Sequence, residues 1–101
     1  MPAMAADNRL ALEAVVLQRE SMRYTPAGIP ALNLVLEHSS EQTECGTPRQ
    51  VKLELKALTF GTLAETLVKQ PMGKRFGFEG FLCQSRNGKG VVFHIQAFTP
   101  R

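Results

Sequence analysis

Residues 25–38 read TPAGIPALNLVLEH, a turn that runs into an apolar strand. Pro26 pre-sets one backbone angle and Gly28 admits a positive φ, so Thr25–Gly28 carries turn chemistry. From Pro30 to His38 the pattern alternates. Leu32, Leu34 and Leu36 share one face, and Asn33, Val35 and Glu37 share the other.

Working outward, four more strand-like runs appear. Arg9–Gln18 alternates, with Leu10, Leu12, Ala14 and Val16 on one face, and its pattern extends through Ser21–Tyr24. After Pro30–His38 comes SSEQTECGTP, which reads as a polar loop containing Gly46 and Pro48. Arg49–Phe60 then places Val51, Leu53, Leu55 and Ala57 toward a core and Gln50, Lys52, Glu54 and Lys56 toward water. Arg75–Gln84 carries Phe76, Phe78 and Phe81 and is interrupted by Gly77 and Gly80, where a bend or bulge is expected. Val91–Phe98 alternates again, and the Asn87-Gly88 step before it is a hairpin signal.

Between the third and fourth runs the period changes. Thr62 and Glu65 have capping-box spacing, and Leu63, Ala64, Leu67 and Val68 form a stripe. Lys69 suits the negative end of a helix and Pro71 stops it, which predicts one helix of about two to three turns. The order β-β-β-α-β-β predicts an all-β fold: a five-stranded OB-fold Greek-key barrel with one short helix between strands 3 and 4. An SH3-like barrel does not need that helix, and a split βαβ sheet needs a second one.

At 101 residues the chain is expected to form a single OB-fold domain, with residues 1–7 as a flexible N-terminal extension and Met4 as an alternative start. The N-terminus lacks the marks of a signal peptide, and no apolar run is long enough to span a bilayer, so a cytoplasmic protein with no membrane partner is expected. Cys45 and Cys83 make no disulfide framework, and with His38 and His94 they show no metal-ligand spacing. No metal, cofactor or catalytic residue is expected: Walker, G-x-S-x-G and H-E-x-x-H patterns are all lacking.

The net charge of +3 is unevenly spread. Residues 1–68 hold six Lys/Arg and eight Asp/Glu, whereas residues 69–101 hold six Lys/Arg against Glu79 alone. OB barrels bind oligonucleotides on the face of strands two and three and through the one-two and four-five loops. Placed on that frame, Arg19, Arg23 and Tyr24 fall in the one-two loop, Arg49, Lys52 and Lys56 on strand three, and Arg86 and Lys89 in the four-five loop. These eight residues are the candidate nucleic-acid contacts. Phe76, Phe78, Phe81, Phe93 and Phe98 sit in apolar runs and read as core, and His94 as a structural residue. With so few aromatic side chains to stack on, binding is expected to rest on phosphate contacts and to be salt-sensitive.

The motifs Asn8-Arg9-Leu10, Gly28-Ile29-Pro30, Val35-Leu36-Glu37-His38, Arg49-Gln50 and Gly80-Phe81 are similar to those of the primosomal replication protein N (PriB) family, OB-fold relatives of single-stranded-DNA-binding proteins. The resemblance runs from Asn8 to about Phe98. It implies a non-enzymatic homodimer of the replication-restart primosome that binds single-stranded DNA, stimulates the PriA helicase at stalled forks and engages the loader protein DnaT. It carries the DNA surface onto Arg23, Lys52 and the Arg86/Lys89 loop. Members with strong DNA binding have an aromatic residue where this chain has Lys52, and a longer loop with more lysines. Without the resemblance the residues leave two other readings open: a general single-stranded DNA- or RNA-binding OB protein, and a ribosome-associated RNA-binding domain.

Overall fold

The structure, a computed structural model, describes residues 6–101. The expected extension at residues 1–7 lies outside them apart from Ala6 and Asp7, as does Met4. The elements are β1 (Leu10–Arg19), β2 (Arg23–Tyr24), β3 (Pro30–Glu44), β4 (Thr47–Phe60), α1 (Thr62–Leu67), β5 (Arg75–Gln84) and β6 (Val91–Pro100). The five long strands close in the order β1-β5-β6-β4-β3 and return to β1, which is the expected OB barrel. The two-residue β2 adds to the edge of β3.

Closure divides β1 between two partners. Leu10–Val15 pairs with β5 on one side, and Val15–Arg19 pairs with β3 on the other. Strands β1 and β3 therefore diverge beyond Val15 and Glu37. His38 fills the fork. Its Nδ1 donates to the Glu13 carbonyl at 2.6 Å, and its Nε2 meets the Ser40 hydroxyl at 2.7 Å. The Glu-His end of the opening stretch thus secures the point where the sheet divides. The opposite seam is short: β4 and β6 run parallel, and only Ala57 and Leu58 pair with Phe93 and His94. Thr59 reinforces it by donating its buried hydroxyl to the Ile95 carbonyl at 3.1 Å.

Leu32, Leu34, Leu36, Ala14, Val16, Ala57, Phe76, Phe78, Phe93 and Ile95 fill the barrel, and Ala64 and Leu67 of α1 cover one end. Phe76 meets the half-buried Phe98 edge-on at 5.3 Å.

Three local expectations are corrected. The polar stretch 39–48 is not a loop. Strands β3 and β4 pair without a break from Ala31↔Phe60 to Glu44↔Thr47, and Cys45-Gly46 forms the turn with φ of 51° and 72°. Two successive positive φ values match the twist of a tight hairpin. The ribbon extends past the barrel, so Val51 and Leu53 are not core; Leu53 keeps 38% of its surface exposed. The helix is a single six-residue element without the Thr62–Glu65 box. Gly61, at φ 73°, takes the cap position, so Thr62 falls inside the helix and Glu65 stands one place too far along. The bulge expected at the glycines of β5 lies across from them. Gln96 is the extra residue on β6, between the pairs Ala97↔Glu79 and Ile95↔Gly80.

Gly80 faces that bulge so closely that an added Cβ would collide with the His94 carbonyl oxygen. Gly80→Ala is therefore expected to lower the unfolding free energy by about 3 kcal/mol, at the upper end of overpacking costs. Urea unfolding checks this, and an unchanged midpoint would show that the seam can widen freely.

Candidate nucleic-acid interface

Alternation along β4 is uninterrupted, so its two faces can be read directly. Ala57 and Thr59 are buried inside, which puts Lys52, Glu54, Lys56, Leu58 and Phe60 on the outer face and Arg49 on the inner side of the ribbon. The register extends the outer face sideways. One row runs Asn33–Leu58–His94–Phe81 across β3, β4, β6 and β5. The next runs Arg23–Ala31–Phe60. Ala31 is fully buried although it lies on this outer face, so its neighbours cover it.

These rows bring together an aromatic surface that the sequence reading missed. Phe81 is not core: it stacks on His94 with centroids 4.8 Å apart and planes 14° from parallel. Phe60 lies 6.2 Å from His94 on the other side and is 43% exposed. A signal was present. Alternation along β5 is unbroken, so with Phe76 and Phe78 inward Gly80 also faces inward and Phe81 outward; its apolar neighbours in the sequence hid this.

The eight candidate cations and aromatic residues separate. Arg23 is on the outer face, and its guanidinium donates to Asn33 Oδ1 at 3.1 Å beside Leu58. Lys56 is exposed on the same face, two residues before Leu58. Arg86 and Lys89 stand on the exposed loop that joins β5 to β6, three residues or more beyond Phe81 and His94. None of Lys56, Arg86 and Lys89 has an ion-pair partner among the described residues, whereas Arg9, Arg49, Arg75 and Arg101 do.

Four candidates lie elsewhere or in mixed surroundings. Arg19 is half-buried and donates to the carbonyls of Gln70 at 2.6 Å and Leu67 at 3.3 Å. The cause is Leu17, an extra residue on β1 that reverses the alternation. Arg19 then pairs with buried Leu34 and turns to the C-terminal end of α1, where a cation suits the exposed carbonyls. It does there what Lys69 was expected to do. Arg49 is on the inner side of the ribbon, 3.3 Å from Glu44. Tyr24 is exposed but alternates to the opposite side from Arg23. Lys52 shares the outer face of the ribbon with the directly paired Glu37 and Glu54 and with Glu41, so acids surround it.

The loop carrying Arg86 and Lys89 is held from within. Ser85 N–H donates to the Gly90 carbonyl at 3.0 Å and Gly88 N–H to the Ser85 carbonyl at 2.9 Å. Asn87 Oδ1 accepts from the Lys89 N–H at 2.8 Å and from the Ser85 hydroxyl. The two cationic side chains therefore project from an ordered frame. Taken together, the outer face offers rings on which bases can stack, with separate cations on the same face and on the adjoining loop, a chemistry suited to a single strand.

Residues 8–97 match the family described as another single-strand binding protein family. The chain is 44% identical over 90 residues to the replication restart protein PriB of Bordetella pertussis, covering 88% of this chain and 84% of that one. The chain belongs to the PriB family. The PriB of Neisseria meningitidis serogroup B is 40% identical, with 92% and 93% of the two chains covered. The solved structure of PriB from Ralstonia solanacearum superposes with a TM-score of 0.85 at 41% identity over 94% of this chain and 98% of that one. This member of the family carries Phe60, His94 and Phe81 together on the outer barrel face.

Replacing Arg19 by alanine removes the donor to two helix-end carbonyls. Arg19→Ala is expected to cost about 1–2 kcal/mol of stability while leaving oligonucleotide affinity within twofold. Paired thermal unfolding and anisotropy titrations measure the two effects, and a large affinity loss at unchanged stability would return Arg19 to the interface.

Proposed function

We propose that this chain is a non-enzymatic accessory protein of the replication-restart primosome in the cytoplasm, binding single-stranded DNA and stimulating the PriA helicase at stalled forks. One observation carries the DNA-binding part: Phe60, His94 and Phe81 form an aromatic surface on the outer face of the barrel, Phe60 exposed and the other two half-buried, with Arg23 and Lys56 on the same face and Arg86 and Lys89 on the loop that continues the strands of Phe81 and His94. Bases stack on the rings, and the cations take the phosphates. The names of the relatives, replication restart protein and single-strand binding protein, support the same reading. Of the eight candidates Arg23, Lys56, Arg86 and Lys89 are kept, Arg19, Tyr24, Arg49 and Lys52 are set aside, and Phe60, Phe81 and His94 are added. Among the described residues no helix is long and apolar enough to cross a membrane.

The homodimer belongs to the same proposal. Between Leu10 and Ala14, β1 pairs with β5 on one side and with no strand of the described residues on the other. An open strand edge of this kind invites a second strand, and a second copy of β1 across a two-fold axis would supply it. Light scattering at micromolar concentration is expected to give twice the chain mass; a monomer would overturn this part alone. DnaT is a further partner of the proposed assembly.

The DNA reading makes two kinds of variant behave differently. Phe60→Ala or Phe81→Ala is expected to cost about 1–3 kcal/mol of binding with little change in salt dependence. Arg86→Ala or Lys89→Ala is expected to make the slope of log affinity against log salt shallower by about 0.7 for each phosphate no longer neutralised. Fluorescence anisotropy with single-stranded oligomers across a salt series reads both. Affinity indifferent to salt, or untouched by the aromatic variants, would sink the assignment. Stimulation of PriA unwinding by the purified protein tests the helicase part independently.

A further inference from the structure

We propose that Asn87 is a site of spontaneous backbone modification, at which the loop joining β5 to β6 converts an amide to an acid and loses part of its anion-binding capacity. The chain has three asparagines, Asn8, Asn33 and Asn87, and each has a different successor. Asn8 precedes Arg9, and its side chain is held by both backbone groups of Leu82. Asn33 precedes Leu34 inside β3 and accepts from Arg23. Asn87 alone precedes a glycine, where no Cβ shields the following nitrogen, and it is exposed to water.

The surroundings of Asn87 favour the reaction. Its Oδ1 accepts from the Lys89 N–H and the Ser85 hydroxyl, and both donors draw electrons from the side-chain carbonyl carbon. Those bonds also turn the side chain along the chain, toward its own succeeding peptide. Arg86 and Lys89 flank that peptide and favour the amide anion that attacks. One contact opposes: the Gly88 N–H donates to the Ser85 carbonyl at 2.9 Å and must be released first. Gly88 sits at φ 75° in an exposed turn, where such a release disturbs no strand.

The step balances with water as its sole co-reactant. The Gly88 nitrogen bonds to Asn87 Cγ and gives up its proton, and the side-chain nitrogen leaves as ammonia. The resulting five-membered succinimide opens by hydrolysis at either carbonyl. One opening leaves an aspartate at position 87 and the other an isoaspartate, whose main chain is one carbon longer. Either places a carboxylate between Arg86 and Lys89 and removes one unit of positive charge from the loop. The isoaspartate also breaks the spacing that lets Ser85 and Lys89 share Oδ1. The chemistry stands on the loop geometry alone; only its effect on affinity rests on the proposed DNA reading.

The test ages the full-length protein in mildly alkaline buffer and follows the peptide containing Asn87 by mass spectrometry. Isoaspartate is counted by enzymatic methyl labelling. The expected result is steady amide-to-acid conversion at Asn87 that Asn87→Gln abolishes, with Asn8 and Asn33 unchanged. Aged protein is expected to bind single-stranded oligomers several-fold more weakly, with a salt slope shallower by about 0.7. No conversion while a free peptide of residues 84–91 converts fully would overturn the proposal, because the loop's hydrogen bonds would then protect Asn87. Conversion with unchanged affinity would uphold the modification and overturn the loop's role as a phosphate contact, which Arg86→Ala checks separately.

Discussion

Closing a short sheet on itself is the constraint on which the rest of this molecule depends. A barrel of five strands has to bend each strand around a small core, and β1 must serve two neighbours at once. The bends are made by single extra residues, Leu17 on β1 and Gln96 on β6. Each extra residue reverses the inward-outward alternation beyond it. Arg19 is thereby aimed at the end of α1, and Phe98 is returned to the core beside Phe76 and Phe78. Gly80 supplies the close approach that the second bend requires, and His38 fills the fork where β1 parts from β3 to pair with β5.

Much of this barrel is legible along the chain because most strands keep strict period. Leu32, Leu34 and Leu36, and the start and end of β5, can be placed without any partner strand. What escapes is whatever depends on pairing. The part of the ribbon from Ser39 to Pro48 has no core to cover, so its residues lack an apolar face and read as a loop. Arg19 comes after a change of phase that only the opposing strand defines, which is why a cation taken for a DNA contact proves to hold a helix. Phe81 misleads for a different reason: it follows plain alternation from Phe76 and Phe78, but its apolar surroundings in the sequence read as core. Local chemistry misleads in the same way at Thr62, where the spacing of a capping box is right and the cap has moved to Gly61.

The outer surface divides between recognition and exclusion. Around Phe60, His94 and Phe81 the margins are cationic, while farther out on the ribbon Glu37, Glu41 and Glu54 surround Lys52. On the proposed reading, a polyanion lying on the rings would be drawn toward the β5–β6 loop and discouraged from tracking along the ribbon. The stretch that identifies the barrel, TPAGIPALNLVLEH, contributes mainly beneath this surface: its leucines fill the core and its histidine holds the fork, while Ala31, Asn33 and Glu37 lie on the outer side.

The contrast between the β3–β4 ribbon and the β1–β5 seam also sets an order of events in time. The ribbon joins residues on either side of a two-residue turn, so it can zip from Cys45-Gly46 without closing any long loop. The β1–β5 seam joins opposite ends of the chain; the Asn8 side chain that fastens it binds a backbone 74 residues away. Chain entropy opposes such a closure until the intervening strands are already in place. During synthesis the ribbon and its strand roots can assemble while the barrel is still open, and the molecule becomes complete only when its last third has arrived to meet its first strand.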